Sequence, residues 1–229
     1  SGNDATVALA EHIAGTEDAF VQLMNQYAAE LGMDNTTFVN STGWPDPQHL
    51  TTARDIAILA TARISEFPEN YSLYAEKEYT YNNIKQYNRN KLLWRDETVD
   101  GVKTGHTESA GYCLVASAER LGMRLISVVL GTDSEKARAH VSQALLNYGF
   151  RFFESHTLYT EGETLSRSRI WKGEFEEVPV GLAQDLAVVI PRGAYKDLDA
   201  TMDIDNNIEA PIAQGQQLGV VNVSLDGEM

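Results

Sequence analysis

Apolar residues recur at helical spacing over the first third of the chain, and the pattern then changes to strand-like runs. A helix is predicted from Asn3 or Asp4, either of which can cap it, through about Ala14. Thr16 opens a second helix, in which Phe20, Leu23, Met24, Tyr27 and Leu31 share one face and Gly32 is placed to end it. Positions 36–49 are turn-rich, with Ser41-Thr42-Gly43 and Pro45-Asp46-Pro47. Thr51 or Thr52 then starts a third helix that turns Ile56, Leu59, Ala60 and Ile64 inward. The β-branched and aromatic stretches at Tyr79-Thr80-Tyr81 and from Val99, Tyr112 and Arg124 predict strands. Arg124 to Leu130 reads as a well-buried strand, paired with its predecessor through a turn at Gly122. A helix from about Ser134 to Tyr148 is expected to face inward with Ala137, Val141, Ala144, Leu145 and Tyr148. A boundary is expected near Phe153. Beyond it, short alternating stretches such as Leu186–Ile190 and Gly219–Leu225, separated by Pro191-Arg192-Gly193 and Asp226-Gly227, predict a small all-β domain.

Composition narrows the function. With 229 residues, 43% of them hydrophobic and 22% charged, the chain can bury a core and is neither disordered nor fibrous. A formal net charge of −15 excludes sequence-independent nucleic-acid binding, which needs clustered Lys and Arg, and disfavours attachment to an anionic membrane. Most of these charges read as a solvated acidic surface. Cys113 is the single cysteine, so no intrachain disulfide forms, and its apolar neighbours mark it as a small buried hydrophobe. One Cys and five scattered His make no zinc site, and no metal or cofactor is expected. There is no run of 18 apolar residues and no signal peptide, and the start at Ser1-Gly2-Asn3 is not expected to be the nascent one.

Three pieces stand out as candidate chemistry: Ser1-Gly2-Asn3, Lys103-Thr104-Gly105 and Arg138. The run Val99 to Gly105 can be a strand that carries a cation and a hydroxyl at its end. Gly105, lacking a side chain, would let another backbone approach closely, so an extended peptide could add there as a further strand. Lys103 would supply positive potential and Thr104 could bind a carboxylate. Taken alone, Lys103-Thr104-Gly105 is more simply an exposed strand end followed by a glycine turn.

The longer string Asp100-Gly101-Val102-Lys103-Thr104-Gly105-His106-Thr107, continued by Ala110-Gly111-Tyr112 and Leu114 to Ala118, resembles the third-motif region of low-molecular-mass penicillin-binding proteins. The similarity is to D-alanyl-D-alanine carboxypeptidases of the penicillin-binding protein 5 and 6 type. Ser1-Gly2-Asn3 matches their second motif. Asn88-Arg89-Asn90 with Leu92-Leu93-Trp94, Arg124 to Ser127, Gly149 to Phe153, Ile190 to Gly193 and Leu225 to Gly227 extend the match over nearly the whole chain.

The resemblance implies an α/β (α+β) transpeptidase-like domain over residues 1–153, a helical cluster on an antiparallel sheet, followed by a small all-β, sandwich-like domain over 154–229. It also implies the roles of individual residues. An upstream Ser-x-x-Lys motif supplies nucleophile and base in this family. No Ser in this chain has Lys three positions later, so that segment is expected upstream, on another chain or cleaved off, and residues 1–229 alone are expected to be inert. Ser1 would relay a proton to the leaving amine, and Asn3 would hydrogen-bond the substrate. Lys103 would hold Ser1 and raise the potential. Thr104 and Arg138 would bind the terminal carboxylate beside Gly105. The backbone N–H of His106 would be one oxyanion donor, while its imidazole is given no general-base role. Arg89 would brace the site. His12, His49, His140 and His156 read as ordinary histidines.

The implied partners are a peptidoglycan stem peptide ending in D-Ala-D-Ala and β-lactams that trap the acyl-enzyme. The implied location is periplasmic and inner-membrane-associated, with membrane contact only through a C-terminal amphipathic anchor beyond this sequence. β-Lactamase or DD-endopeptidase activity on the same scaffold, or a non-catalytic peptidoglycan-binding module, are the alternatives.

Overall fold

The computed structural model describes residues 2–227. The chain forms two compact units that part between Gly149 and Phe150.

In the first unit the predicted helices form where the sequence supplies caps. Helix α1 is Asn3–Ala14 and α2 is Glu17–Glu30, with the Thr16 hydroxyl accepting from Ala19 N–H at 3.1 Å. Helix α3, Ala53–Glu66, is capped in the same way by Thr52, which accepts from Asp55 N–H at 3.1 Å. Asn3 is the first helical residue of α1 rather than its cap. Gly2 takes the cap position with no side-chain bond. A short α4, Pro68–Tyr71, precedes the hairpin of β1, Glu78–Tyr81, and β2, Ile84–Tyr87. Helix α5, Leu92–Arg95, leads into β3, Val99–Thr107, β4, Gly111–Arg120, and β5, Met123–Thr132. These three strands make one antiparallel sheet in the order β3-β4-β5. The middle strand β4 buries Leu114, Ala116, Ser117 and Ala118, small residues that let α3 lie against β4 and β5. Helix α6 is Glu135–Phe152.

Two helix faces differ from those the apolar spacing predicts. In α6 the buried positions are Arg138, Ala139, Ser142, Leu146 and Phe150, whereas Val141, Leu145 and Tyr148 are 39%, 47% and 58% exposed. The helix is turned so that Arg138 points inward to hydrogen-bond Gly105, and a stripe containing Arg and Ser is invisible to apolar periodicity. In α2, Ala28 is buried and Tyr27 is 62% exposed. The side chain of Asn25 faces the turn-rich segment, donating to Phe38 O at 2.8 Å and accepting from Phe38 N–H at 2.8 Å. Strand β5 is half-buried rather than fully buried, with Leu130 41% exposed at the sheet's outer strand. Cys113 is half-buried.

Asp96, between α5 and β3, ties three elements together. It accepts from the Thr98 hydroxyl at 2.5 Å, Arg120 Nη2 at 2.6 Å and Gln143 Nε2 at 2.8 Å. Burial pushes its carboxyl up, but the hydrogen bonds from Thr98, Gln143 and Arg120 outweigh it and hold the pKa at about 2, below the ordinary 3.8. The resulting stability is present above the unfolded value and is lost as pH falls from 3.8 towards 2. Converted at 1.36 kcal/mol per unit, it is roughly 2 kcal/mol. Asp96→Asn should therefore lower the unfolding free energy from urea titration at pH 6 by that amount, and the difference from the native chain should shrink as pH approaches 2.

The second unit is built of strands β6, Phe153–Tyr159, β7, Thr164–Trp171, β8, Glu177–Gly181, β9, Leu186–Pro191, β10, Leu198–Ile204, β11, Ile208–Glu209, and β12, Gly219–Leu225. They form three small sheets, β6-β9, β11-β7-β8 and β10-β12, antiparallel except for the β11-β7 pair, with Ile190 and Ile208 buried. Arg192 fastens the turn after β9, donating to the carbonyls of Phe150 at 3.0 Å and Phe153 at 3.2 Å.

Candidate active site

The residues singled out on β3 lie along one strand that, among the described residues, pairs with β4 and has no strand on its other edge. Two contacts fix that strand from outside the ladder. The buried Asn90 donates from Nδ2 to Gly101 O at 2.9 Å. Its own amide N–H donates to Asn88 Oδ1 at 2.9 Å, so the Asn88-Arg89-Asn90 turn is locked beside β3. At the other end, Arg138 donates from Nη1 to Gly105 O at 3.0 Å.

An ionic network holds the start of the strand. Asp100 accepts from the Tyr71 hydroxyl at 3.1 Å and from Arg124 Nη1 at 2.6 Å, and Arg124 also reaches the Ser117 hydroxyl at 2.7 Å and Glu119 at 2.6 Å. Burial, reinforced by the Asp100 carboxylate, pushes the Tyr71 phenol up to about 12. Tyr71 packs so closely that a Cβ on Gly101 would overlap its hydroxyl and stand 3.0 Å from its Cζ. Gly101 is therefore a close-approach glycine.

The site is strongly cationic inside an acidic chain. Lys103 keeps an exposed edge and donates to Thr104 O at 2.6 Å. Enough protein surrounds its ammonium that desolvation, followed by the charges of Arg89 and Arg138, holds its pKa below the ordinary lysine value. Arg138 is 3% exposed. Besides Gly105 it has Glu135 at 3.6 Å and the Tyr112 ring, whose centroid lies 5.5 Å from its guanidinium carbon. The His106 imidazole stacks on Tyr112, with ring centroids 3.9 Å apart. Next to it a cavity of about 390 Å³ is lined by residues 106–112 together with Gly131, Thr132 and Asp133.

Of the predicted residues, the structure thus gathers Lys103, Thr104, Gly105, His106 and Arg138, with Arg89 near enough to act on Lys103. Asn3 stands exposed in the first turn of α1, and no hydrogen bond among the described residues joins it to Lys103. Ser1 lies outside the described residues. Among the described residues no group of His, Cys, Asp or Glu could hold a metal. Among the described residues no helix is long and apolar enough to cross a membrane.

Sequence reasoning missed Asn90, Tyr71 and Tyr112. The motif Asn88-Arg89-Asn90 signalled the first. Nothing periodic marks the other two.

The geometry agrees with what known proteins show. The family described as D-alanyl-D-alanine carboxypeptidase matches residues 1–134. The chain belongs to that family. A second family, described as the C-terminal domain of penicillin-binding protein 5, matches residues 153–229. The chain is 46% identical to the D-alanyl-D-alanine carboxypeptidase DacC of Escherichia coli, over 100% of this chain and 58% of that protein. It is 46% identical to the D-alanyl-D-alanine carboxypeptidase DacA of Haemophilus influenzae, over 100% and 59%. The chain therefore spans less than two thirds of the length of these carboxypeptidases. Penicillin-binding protein 5 from Haemophilus influenzae superposes with a TM-score of 0.86 at 45% identity, covering 99% of this chain and 67% of that one. Penicillin-binding protein D2 from Listeria monocytogenes, solved with ampicillin bound, superposes with a TM-score of 0.61 at 34% identity, covering 66% and 62%. The mixed helices and antiparallel sheets of this carboxypeptidase family, and its C-terminal sheet domain, are those described above.

Proposed function

We propose that these residues form the substrate-binding half of a serine-type D-Ala-D-Ala carboxypeptidase that trims the terminal D-alanine from peptidoglycan stem peptides. The observation that carries this reading is the convergence of Lys103, Arg89 and Arg138 at the end of β3, where desolvation, followed by the charges of the two arginines, lowers the pKa of Lys103. Three cations gathered beside a threonine hydroxyl suit a carboxylate. An open strand edge suits an extended peptide, which would add alongside β3 with its C-terminus at Thr104 and Arg138. The backbone N–H of His106 would meet the oxyanion, and Gly105 would let the scissile bond approach. Ser1 would pass a proton to the leaving amine and Asn3 would hold the substrate amide.

Residues 1–229 contain no Ser-x-x-Lys motif, so an acyl-enzyme route requires that motif from outside this range. β-Lactams would then trap the acyl stage, in a protein acting in the periplasm and associated with the inner membrane. The match to carboxypeptidases over the whole chain, against 50% of it for the Escherichia coli D-alanyl-D-alanine endopeptidase, supports exopeptidase over endopeptidase action.

Incubation with benzylpenicillin and intact-mass measurement tests the reading. Residues 1–229 should stay unmodified, and a longer form carrying the Ser-x-x-Lys segment should gain one penicilloyl group. A longer form that never labels would refute the carboxypeptidase assignment.

A further inference from the structure

Tyr112 lies opposite His106 in the β3–β4 register, and its ring touches two groups that the proposed reaction uses. The His106 imidazole stacks on it, centroids 3.9 Å apart with the planes at 34°, and the Arg138 guanidinium carbon is 5.5 Å from the ring centroid. The backbone that carries the ring is held from behind. Thr132 Oγ1 donates to Tyr112 O at 2.8 Å. At Gly111, the residue before it, φ is +64° and an added Cβ would stand 2.9 Å from Thr132 O. Tyr112 therefore cannot shift without moving the β4–β5 ladder. Arg138, by contrast, donates among the described residues to Gly105 O and has Glu135 at 3.6 Å, beyond hydrogen-bond length. A guanidinium over an aromatic face gains from the ring quadrupole without spending its N–H donors.

We propose that Tyr112 is a positioning residue: its ring face sets the Arg138 guanidinium and the His106 backbone at the separation that a C-terminal D-alanine residue needs between its carboxylate and its scissile carbonyl. This rests on the carboxypeptidase reading above. The ring acts, not the hydroxyl, for which no hydrogen bond is found among the described residues. Phe should therefore replace Tyr112, and an aliphatic residue of similar bulk should not.

The test uses the 229-residue chain, its Tyr112→Phe and Tyr112→Leu variants, and Arg138→Gln. Binding of an N-acylated D-Ala-D-Ala peptide is followed by calorimetry, and the ring protons of His106 and Nε–H of Arg138 by NMR in the ligand-free state. Tyr112→Leu should weaken binding at least tenfold, move the His106 ring protons downfield as the ring current disappears, and shift the Arg138 signal. Tyr112→Phe should restore all three to native values. Native-like peptide binding in Tyr112→Leu with an unmoved Arg138 signal would overturn the proposal, as would a Phe variant as impaired as Leu. Loss of the carboxypeptidase reading has a separate signature: a native chain and an Arg138→Gln variant that bind the peptide equally. In that case the ligand-free NMR signals still decide whether Tyr112 positions Arg138, and an unmoved Arg138 signal in Tyr112→Leu would still reject it.

Discussion

Lys103→Met should weaken capture of an N-acylated D-Ala-D-Ala peptide by roughly ten- to a hundredfold while leaving the first unit at least as stable as before. The two halves of this expectation have one cause. Lys103 is held where partial desolvation, followed by the charges of Arg89 and Arg138, disfavours its charge. A ligand carboxylate is what makes three cations at one strand end tolerable. Hydrogen bonds to charged groups contribute about 1.5–3 kcal/mol each, so losing the ammonium should weaken binding by roughly ten- to a hundredfold. Removing an unfavourably placed charge from a binding site favours the folded state, and the lost bond to Thr104 O must be set against that.

The pH dependence separates this from simple loss of packing. The folded pKa of Lys103 lies below the unfolded 10.5, so the native chain gains stability as pH rises from the folded value towards 10.5, and the Met variant lacks that gain. Peptide affinity runs the opposite way, full while Lys103 is protonated and lost as pH rises through the pKa that the bound carboxylate raises. Thermal melts and calorimetric titrations at pH 7 to 10.5 read both. A Met variant that binds peptide as the native chain does, or that melts several degrees lower at pH 7, contradicts the account.

The parts of the molecule that were legible beforehand are those encoded locally. Thr16 and Thr52 cap helices because a hydroxyl and the N–H that it accepts are three residues apart, and Lys103, Thr104 and Gly105 fall on one strand because they are consecutive. Periodicity failed where polar groups decide which face is inside. In α6 it favoured Val141 and Tyr148, whereas the fold turned inward on Arg138 and Ser142. The framework behind the site was out of reach for a different reason. Tyr71 and Arg124 meet at Asp100 from 29 and 24 positions away on opposite sides in sequence, and Tyr112 reaches Arg138 from another strand altogether. Such meetings depend on the tertiary arrangement and leave no spacing rule in the chain. The boundary near Phe153 was read from the start of an alternating pattern. The compact units part at Gly149 and Phe150, inside α6, because a helix carries the chain on past the last residue that the first core holds.

The importance of that hidden framework can be measured at Gly101. Gly101→Ala should cost about 1–3 kcal/mol, the range for forcing extra carbon into a packed site, because the new methyl would overlap the Tyr71 hydroxyl and crowd its Cζ. The Tyr71 ring is 5% exposed and hydrogen-bonded to Asp100, so it can yield only by giving up that bond. In a Tyr71→Phe background the hydroxyl is gone, and the same methyl should cost at least about 1 kcal/mol less, a coupling typical of residues in contact. Tyr71 also gives the cycle a pH signature. Its folded pKa of about 12 lies above the unfolded 10, so its contribution is complete below pH 10 and is lost as pH rises from 10 to 12, roughly 2–3 kcal/mol in all. The Phe background has no such loss. Urea midpoints of the four proteins at pH 7 and 11 supply every term. Equal costs of Gly101→Ala in both backgrounds would mean that the contact does not constrain the strand. The predicted coupling would instead place the rigidity of Lys103 two residues before it, where Asp100 and Tyr71 hold Gly101 against the helical layer.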